Sequence, residues 1–194
     1  LFLDANGEKI SKSRGNGISI DAWLTYASSE SLSYFMFLKP RTAKKLHFDV
    51  IPRAVDEYHQ QLQAFPGQDA AQRLANPVFH IHEGDPPASD MVVSFSMLLN
   101  LASAAGAEDK EALWAFIRRY APQAAPETHP QMDRAAGYAV RYYQDFVRPA
   151  KVYRAPDARE GAALEDLAAR LRAWDGPVEA EALQSAVFAV GKAH

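Results

Sequence analysis

The chain has 194 residues, 48% of them hydrophobic and 23% charged, which fits a globular protein with a sizeable core and excludes a disordered chain. A net charge of −3 excludes the overall basicity of a protein that coats nucleic acid without discrimination, so any RNA contact must use local patches. The absence of cysteine excludes disulfides and thiolate metal sites; no apolar run nears the roughly 20 residues of a membrane span, no signal peptide is visible, and the expected location is cytoplasmic.

Leu1-Phe2-Leu3 reads as a buried strand and Asp4-Ala5-Asn6-Gly7 as a turn. Lys9-Ile10-Ser11-Lys12-Ser13-Arg14-Gly15-Asn16 follows as a short polar loop, and Ile18 to Ala27 has helical spacing. A strand, a glycine-bearing polar loop and a helix suit phosphate, because backbone N–H groups and a helix start can face an anion. Lys9 and Lys12 add positive charge where a phosphate chain becomes more negative. On charge alone, a solvated surface turn is the favoured reading.

The ordered pattern goes further. Lys9-Ile10-Ser11-Lys12-Ser13 resembles the Lys-Met-Ser-Lys-Ser signature (KMSKS) of class I aminoacyl-tRNA synthetases, with Ile10 in place of methionine, and Arg14-Gly15-Asn16 fits the same family. The stretch from Asp21-Ala22-Trp23-Leu24 through Phe48-Asp49-Val50-Ile51-Pro52-Arg53-Ala54-Val55-Asp56-Glu57-Tyr58 resembles class I lysyl-tRNA synthetase. So do Asn76-Pro77-Val78-Phe79-His80-Ile81-His82 and Arg141-Tyr142-Tyr143-Gln144-Asp145-Phe146. The resemblance covers nearly the whole chain and is most specific over residues 1–60. It implies a mobile loop that closes over ATP during lysine activation. Lys12 would contact the phosphates in the transition state with Lys9 in support, making these the catalytic pair, and Lys9, Ser11, Lys12 and Ser13 the ATP-binding set. Exchanging methionine for isoleucine is apolar for apolar and should matter little.

Further along, Ile20, Trp23, Leu24 and Ala27 form one apolar face of a short helix, with Ser19 as its N-cap. Ser28 or Ser29 caps a second helix carrying Leu32, Phe35, Met36 and Leu38, which Pro40 stops. Lys39, Arg41, Lys44 and Lys45 make the densest basic patch, either a solvated linker or a contact for tRNA phosphates. The resemblance favours the second, because class I synthetases commonly place a stem-contact fold after the signature loop. A short strand is expected at Leu46-His47-Phe48, then a helix capped by Asp49 and entered at Pro52, with Val55, Tyr58, Leu62 and Phe65 inward. Arg53 either faces RNA or pairs with Asp56 or Glu57.

Pro66 to Pro87 reads as a connector. Within it, His80 and His82 would share a face if Val78–Glu83 were a strand, but no further ligands stand nearby, and no metal site is expected. From about Met91 the pattern is helical: Phe95, Leu98, Leu99 and Ala102; Leu113, Phe116, Ile117 and Tyr120; Met132 to Val147; Leu164 to Leu171, ended by Asp175-Gly176-Pro177; Leu183 to Val190. Arg134, Arg141 and Arg148 are spaced by seven and share a face of an uninterrupted helix. Together with Tyr142 they offer a second RNA surface, against the plainer reading of solvent-facing arginines and a packed tyrosine.

The expected fold class is mainly α: the end of a nucleotide-binding α/β domain with the signature loop (1–18), a stem-contact-like segment (19–65), a connector (66–90), then an α-helical tRNA- and anticodon-binding bundle (91–194). Both ends look cut, so the expectation is an internal or carboxy-proximal piece of a longer enzyme. By resemblance, that enzyme uses ATP with magnesium, lysine and tRNA(Lys), while this piece holds no cofactor tightly and is inactive alone. The alternatives are a non-catalytic RNA-binding module of synthetase descent and a helical scaffold with no RNA role.

Overall fold

The computed structural model describes residues 1–11, 14–176 and 178–194. It is mostly helical with one two-stranded sheet, and the chain divides into two compact units, Leu1–Ala150 and Lys151–His194.

In the first unit, β1 (Phe2–Leu3) runs parallel to β2 (Lys44–Lys45), with Phe2 opposite Lys44 and Leu3 opposite Lys45. The second strand therefore lies in the basic patch and not at Leu46-His47-Phe48. Leu46 closes the pairing by donating its N–H to the Leu3 carbonyl (2.7 Å), and the chain then tightens into a single turn at Phe48–Val50. Helix α1 (Ile20–Leu24) starts at Ser19, whose hydroxyl accepts from Ala22 N, and α2 (Ser29–Phe37) starts at Ser28, whose hydroxyl accepts from Ser31 N. Helix α3 (Ile51–Ala64) carries Pro52 in its first turn, where a missing N–H costs nothing.

The connector is more helical than its prolines suggest. Asp69 and Gln72 cap α4 (Ala70–Ala75) reciprocally, and Asn76 caps α5 (Pro77–Ile81). The strand reading of Val78–Glu83 is thus corrected. Pro77 sits at the first helical position, His80 binds the Leu74 carbonyl (2.7 Å), and His82 bonds the Tyr58 hydroxyl (3.0 Å), so the two imidazoles have separate partners.

Helices α6 (Phe95–Ala105), α7 (Lys110–Tyr120) and α8 (Pro130–Tyr142) fall where the apolar spacing predicted them. Phe95, Leu98, Leu113, Ile117 and Met132 are fully buried, in one core that extends back to Trp23, Ile51 and Val55. The core therefore crosses the expected divisions at 66–90. Aspartates fix the helix starts from a distance: Asp56 accepts from Phe95 N (2.6 Å) and Ser96 N (3.2 Å), and Asp90 from Gln131 N and Met132 N (both 2.9 Å). Asp133 accepts from Lys110 Nζ (2.7 Å) and from the buried Trp114 Nε1 (2.9 Å), tying α7 to α8.

A π-type turn (Tyr143–Val147) follows α8 and leads into α9 (Arg148–Ala150). It brings Phe146 against Tyr26 and Phe48, with ring centroids 4.9 and 4.5 Å away, and Asp145 to the Tyr26 hydroxyl (2.9 Å).

The second unit is a helical pair, α10 (Ala158–Arg172) and α11 (Ala180–Ala193), with Asp157 and Glu160 forming a capping box. Val190 is buried, while Leu164, Leu171, Val187 and Phe188 stay exposed. The expected stop at Asp175-Gly176-Pro177 includes Pro177, which lies outside the described residues. Among the described residues, no helix is long and apolar enough to cross a membrane.

Candidate ATP-loop and RNA-contact site

The loop is built outward from β1. Lys9 bridges back to Leu3 in antiparallel sense, and Ile10 N–H donates to the Phe2 carbonyl (3.0 Å). Leu3 therefore has Lys9 on one side and Lys45 on the other. Two strand spacings place those two lysine backbones about 10 Å apart. Lys45 Nζ also donates to the Ala5 carbonyl (3.2 Å), which draws the end of the basic patch onto the turn that precedes the loop.

Asp4 holds that turn together. Its Oδ1 accepts from Asn6 N (3.0 Å) and Glu8 N (2.9 Å), and its Oδ2 accepts from Asn16 Nδ2 (2.8 Å). These bonds, led by the one from Asn16, hold the Asp4 carboxyl below the usual carboxylate range. Asn16 spends its other end on the loop: Oδ1 accepts from Ser11 N (3.0 Å), while Nδ2 also reaches the Lys9 carbonyl (3.3 Å). Arg14 pairs with Glu8 (3.1 Å), both exposed.

The half-buried Ile10 packs against the main core, so the residue replacing methionine is an apolar anchor. Gly17 lets the returning chain pass over it, because a Cβ there would lie 2.4 Å from Ile10 Cγ2. Gly15 has φ +61°, a left-handed conformation that glycine adopts without strain. Lys9 is exposed and Ser11 half-buried; Lys12 and Ser13, expected to complete the phosphate set, lie outside the described residues.

The RNA candidates divide sharply. Lys39, with left-handed backbone (φ +44°), and Arg41 are exposed. Lys44 is already engaged: its Nζ donates to the Phe35 (2.6 Å) and Met36 (2.8 Å) carbonyls at the end of α2, and burial lowers its pKa. In this chain it caps a helix, so a phosphate contact by Lys44 would have to exchange those carbonyls for the ligand. Arg53 pairs with Glu57 (2.7 Å), as one of its two readings allowed. Lys39, Lys44 and Arg53 border a groove of about 450 Å³ with Tyr34, Phe35 and Leu38.

On the bundle side, Arg141 and Arg148 are exposed, but Tyr142 is only 6% exposed. Its ring lies 4.9 Å from that of Phe146, and burial together with Asp49, which its hydroxyl bonds, pushes its pKa up to about 12. A ring packed this way has no open face, which is the plainer of the two readings its sequence position allowed. The seven-residue arginine row is also broken. The π-type turn inserts one residue of phase, turning Arg148 by about 100° from the face of Arg134 and Arg141.

The sequence reading missed Asp4 and Asn16 as site residues. An aspartate two residues before Asn6-Gly7 is a local turn signal, but its bond to Asn16, twelve positions on, has no periodicity to reveal it.

A strand, a glycine-bearing lysine–serine segment and a helix, followed by a helical body, stand in the order that the resemblance to class I synthetases implies. Comparison with known proteins agrees: residues 1–85 match the family model described as tRNA synthetases class I (K). The chain is 68% identical over 192 residues to a protein named lysine–tRNA ligase from Roseobacter denitrificans, covering 99% of this chain and 36% of that relative. Proteins of the same name from Rickettsia rickettsii and Rickettsia felis are 48% and 47% identical over 193 residues, covering 98% of this chain and 37% of each relative. Residues 1–85 thus carry a class I synthetase (K) domain, and the chain as a whole is similar to lysine–tRNA ligases. It spans about a third of the length of the curated relatives it matches. No solved structure gives a significant match.

Proposed function

We propose that this chain is part of a lysine–tRNA ligase that activates lysine with ATP and transfers it to tRNA(Lys). It supplies the signature loop and part of the tRNA-binding surface. The observation that carries the proposal is the placement of Lys9 and Lys45 on opposite sides of Leu3, which joins the ATP-loop candidate to the basic patch through one strand.

In this reading Lys9 and Lys12 stabilise the charge that builds on the ATP phosphates as the lysine carboxylate attacks, and Ser11 and Ser13 hydrogen-bond to phosphate or shape the loop. Magnesium bound with ATP would add positive charge to the phosphates, and no described residue of this chain is assigned to hold it. The tRNA backbone meets Lys39, Arg41 and Lys45, with Arg141 and Arg148 as a separate pair of cations. Contacts of this kind position an RNA without reading its sequence.

The test is binding of the 194-residue chain to lysine tRNA and to a noncognate tRNA across a salt series. Binding that weakens with salt is expected, with equal affinity for the two tRNAs if backbone contacts alone act, and Arg41→Ala should lower the salt slope by about 1. No binding at low salt would overturn the tRNA-surface part. For the loop part, a protein of the relatives' full length that carries this chain should exchange pyrophosphate into ATP when lysine is present. The 194-residue chain alone should not.

A further inference from the structure

The geometry points to Asp4 and Asn16 as positioning residues for the phosphate loop, a role that rests on the ATP-loop reading above. Asn16 is the last residue of the loop and Lys9 its first. The Asn16 amide bonds the carbonyl of Lys9, the N–H of Ser11 and the carboxylate of Asp4, at 3.3, 3.0 and 2.8 Å. Asp4 in turn receives the N–H groups of Asn6 and Glu8. One side-chain pair therefore joins the turn before the loop to both ends of the loop. An ordinary turn needs only the two local bonds of Asp4. The bonds from Asn16 do nothing for that turn, but they fix the backbone of Lys9 and Ser11, two members of the proposed phosphate set.

The charge arrangement suits a phosphate site. A carboxylate beside an ATP loop would repel the ligand unless its charge were absorbed. Here Asp4 is 9% exposed and three N–H donors from Asn6, Glu8 and Asn16 surround it. Its lowered pKa keeps it ionised throughout the neutral range, so the tie persists there.

Three variants separate positioning from mere presence. Asn16→Asp sets two carboxylates against each other at the 2.8 Å contact, where they repel unless they share a proton. Asn16→Ala removes the donor and acceptor together. The double exchange Asp4→Asn with Asn16→Asp restores a donor–acceptor pair with reversed polarity and keeps an acceptor for Ser11 N.

The first readout needs no activity: tryptic cleavage after Lys9 and Arg14 in the 194-residue chain. Asn16→Asp and Asn16→Ala should be cut about tenfold faster than the parent, the size expected for losing a hydrogen bond to a charged group. The double exchange should return to within about threefold of the parent. The cleavage excess of Asn16→Asp should shrink as pH falls and the pair takes up a proton. Equal cleavage of the parent and both single variants, or no recovery in the double exchange, would overturn the tie.

The second readout is lysine-dependent ATP–pyrophosphate exchange in a full-length protein carrying this chain. Asn16→Asp should lower kcat about tenfold or more and leave the KM for lysine unchanged, with recovery in the double exchange. Normal exchange kinetics in Asn16→Asp, beside an active parent, would overturn the positioning role. An inactive parent would overturn the ligase reading instead, and cleavage would still report on the tie.

Discussion

Residues 1–18 and the helical body that follows are held by opposite means. In the body, Phe95, Leu98, Leu113, Ile117 and Met132 lose all contact with solvent. In the first segment, Phe2, Leu3, Ile10 and Ile18 are only half-buried and Leu1 is 66% exposed, while Asp4 and Asn16 form the centre of a polar network. Burial of a large apolar side chain contributes about 1.5–3 kcal/mol and is lost only when packing is lost. A hydrogen bond contributes about 1 kcal/mol net and can be traded for water or a ligand. A loop held by the second kind of interaction can exchange partners while the body beneath it stays folded, which is what a phosphate-closing loop requires.

The comparison is tested most severely in the body. Phe95→Ala should lower unfolding free energy by about 3–5 kcal/mol in urea titrations, through lost burial and the cavity left between helices. Asn16→Ala should shift the same titration by about 1 kcal/mol or less. A similar loss in both would mean the two regions do not differ as described.

The next largest effect is on pH. His59 is largely buried, its Nδ1 has no hydrogen-bond partner among the described residues, and its ring lies 4.9 Å from that of Tyr58. Burial pushes its pKa from the ordinary 6.5 down to about 4, with Arg134 adding to the fall and Asp90, Asp56 and Glu30 opposing it. Between those values the unfolded chain binds a proton that the folded chain does not. Stability is therefore complete above about pH 6.5, falls as pH falls, and has lost up to about 3 kcal/mol of this contribution near pH 4. His59→Gln should flatten the part of the curve between pH 6.5 and 5. The Asp4 carboxyl titrates below its ordinary range, so protection of the Ser11 amide from hydrogen exchange, measured relative to an unstructured peptide at each pH, should hold over the same interval while the body weakens.

What was legible in the sequence follows the same division. Apolar spacing placed α6, α7 and α8 because a helix that buries one face must repeat its side chains about every 3.6 residues. Ser19 was legible as a cap, and Ser28 as one of two adjacent candidates, because the signal is local. The core linking Trp23 to Met132 was not, since the helices' periods do not state which helices pack together. The Asp4–Asn16 tie was hidden because a single long-range hydrogen bond leaves no pattern. The surroundings of Lys44 and Tyr142 were hidden for one reason: composition shows a cation or a ring, and only the fold shows that the Lys44 ammonium is occupied by two carbonyls and the Tyr142 ring by its neighbours.

The smallest predicted effect separates two residues that look alike in the basic patch. Arg41 is exposed and makes no hydrogen bond or ion pair among the described residues, whereas Lys44 closes the end of α2 and lies 5.3 Å from the Phe35 ring centre. Arg41→Ala should therefore leave the urea midpoint in place and reduce the salt slope of tRNA binding by about 1. Lys44→Met should do the reverse, costing about 1 kcal/mol of stability as the α2 carbonyls lose their donor, with little change in slope. If Lys44→Met instead cut the slope by as much as Arg41→Ala, its ammonium would have to leave those carbonyls for phosphate when RNA binds. The patch would then behave as the loop does, exchanging internal hydrogen bonds for a ligand, and the line between a polar, partner-exchanging segment and a closed body would move from residue 18 to residue 45.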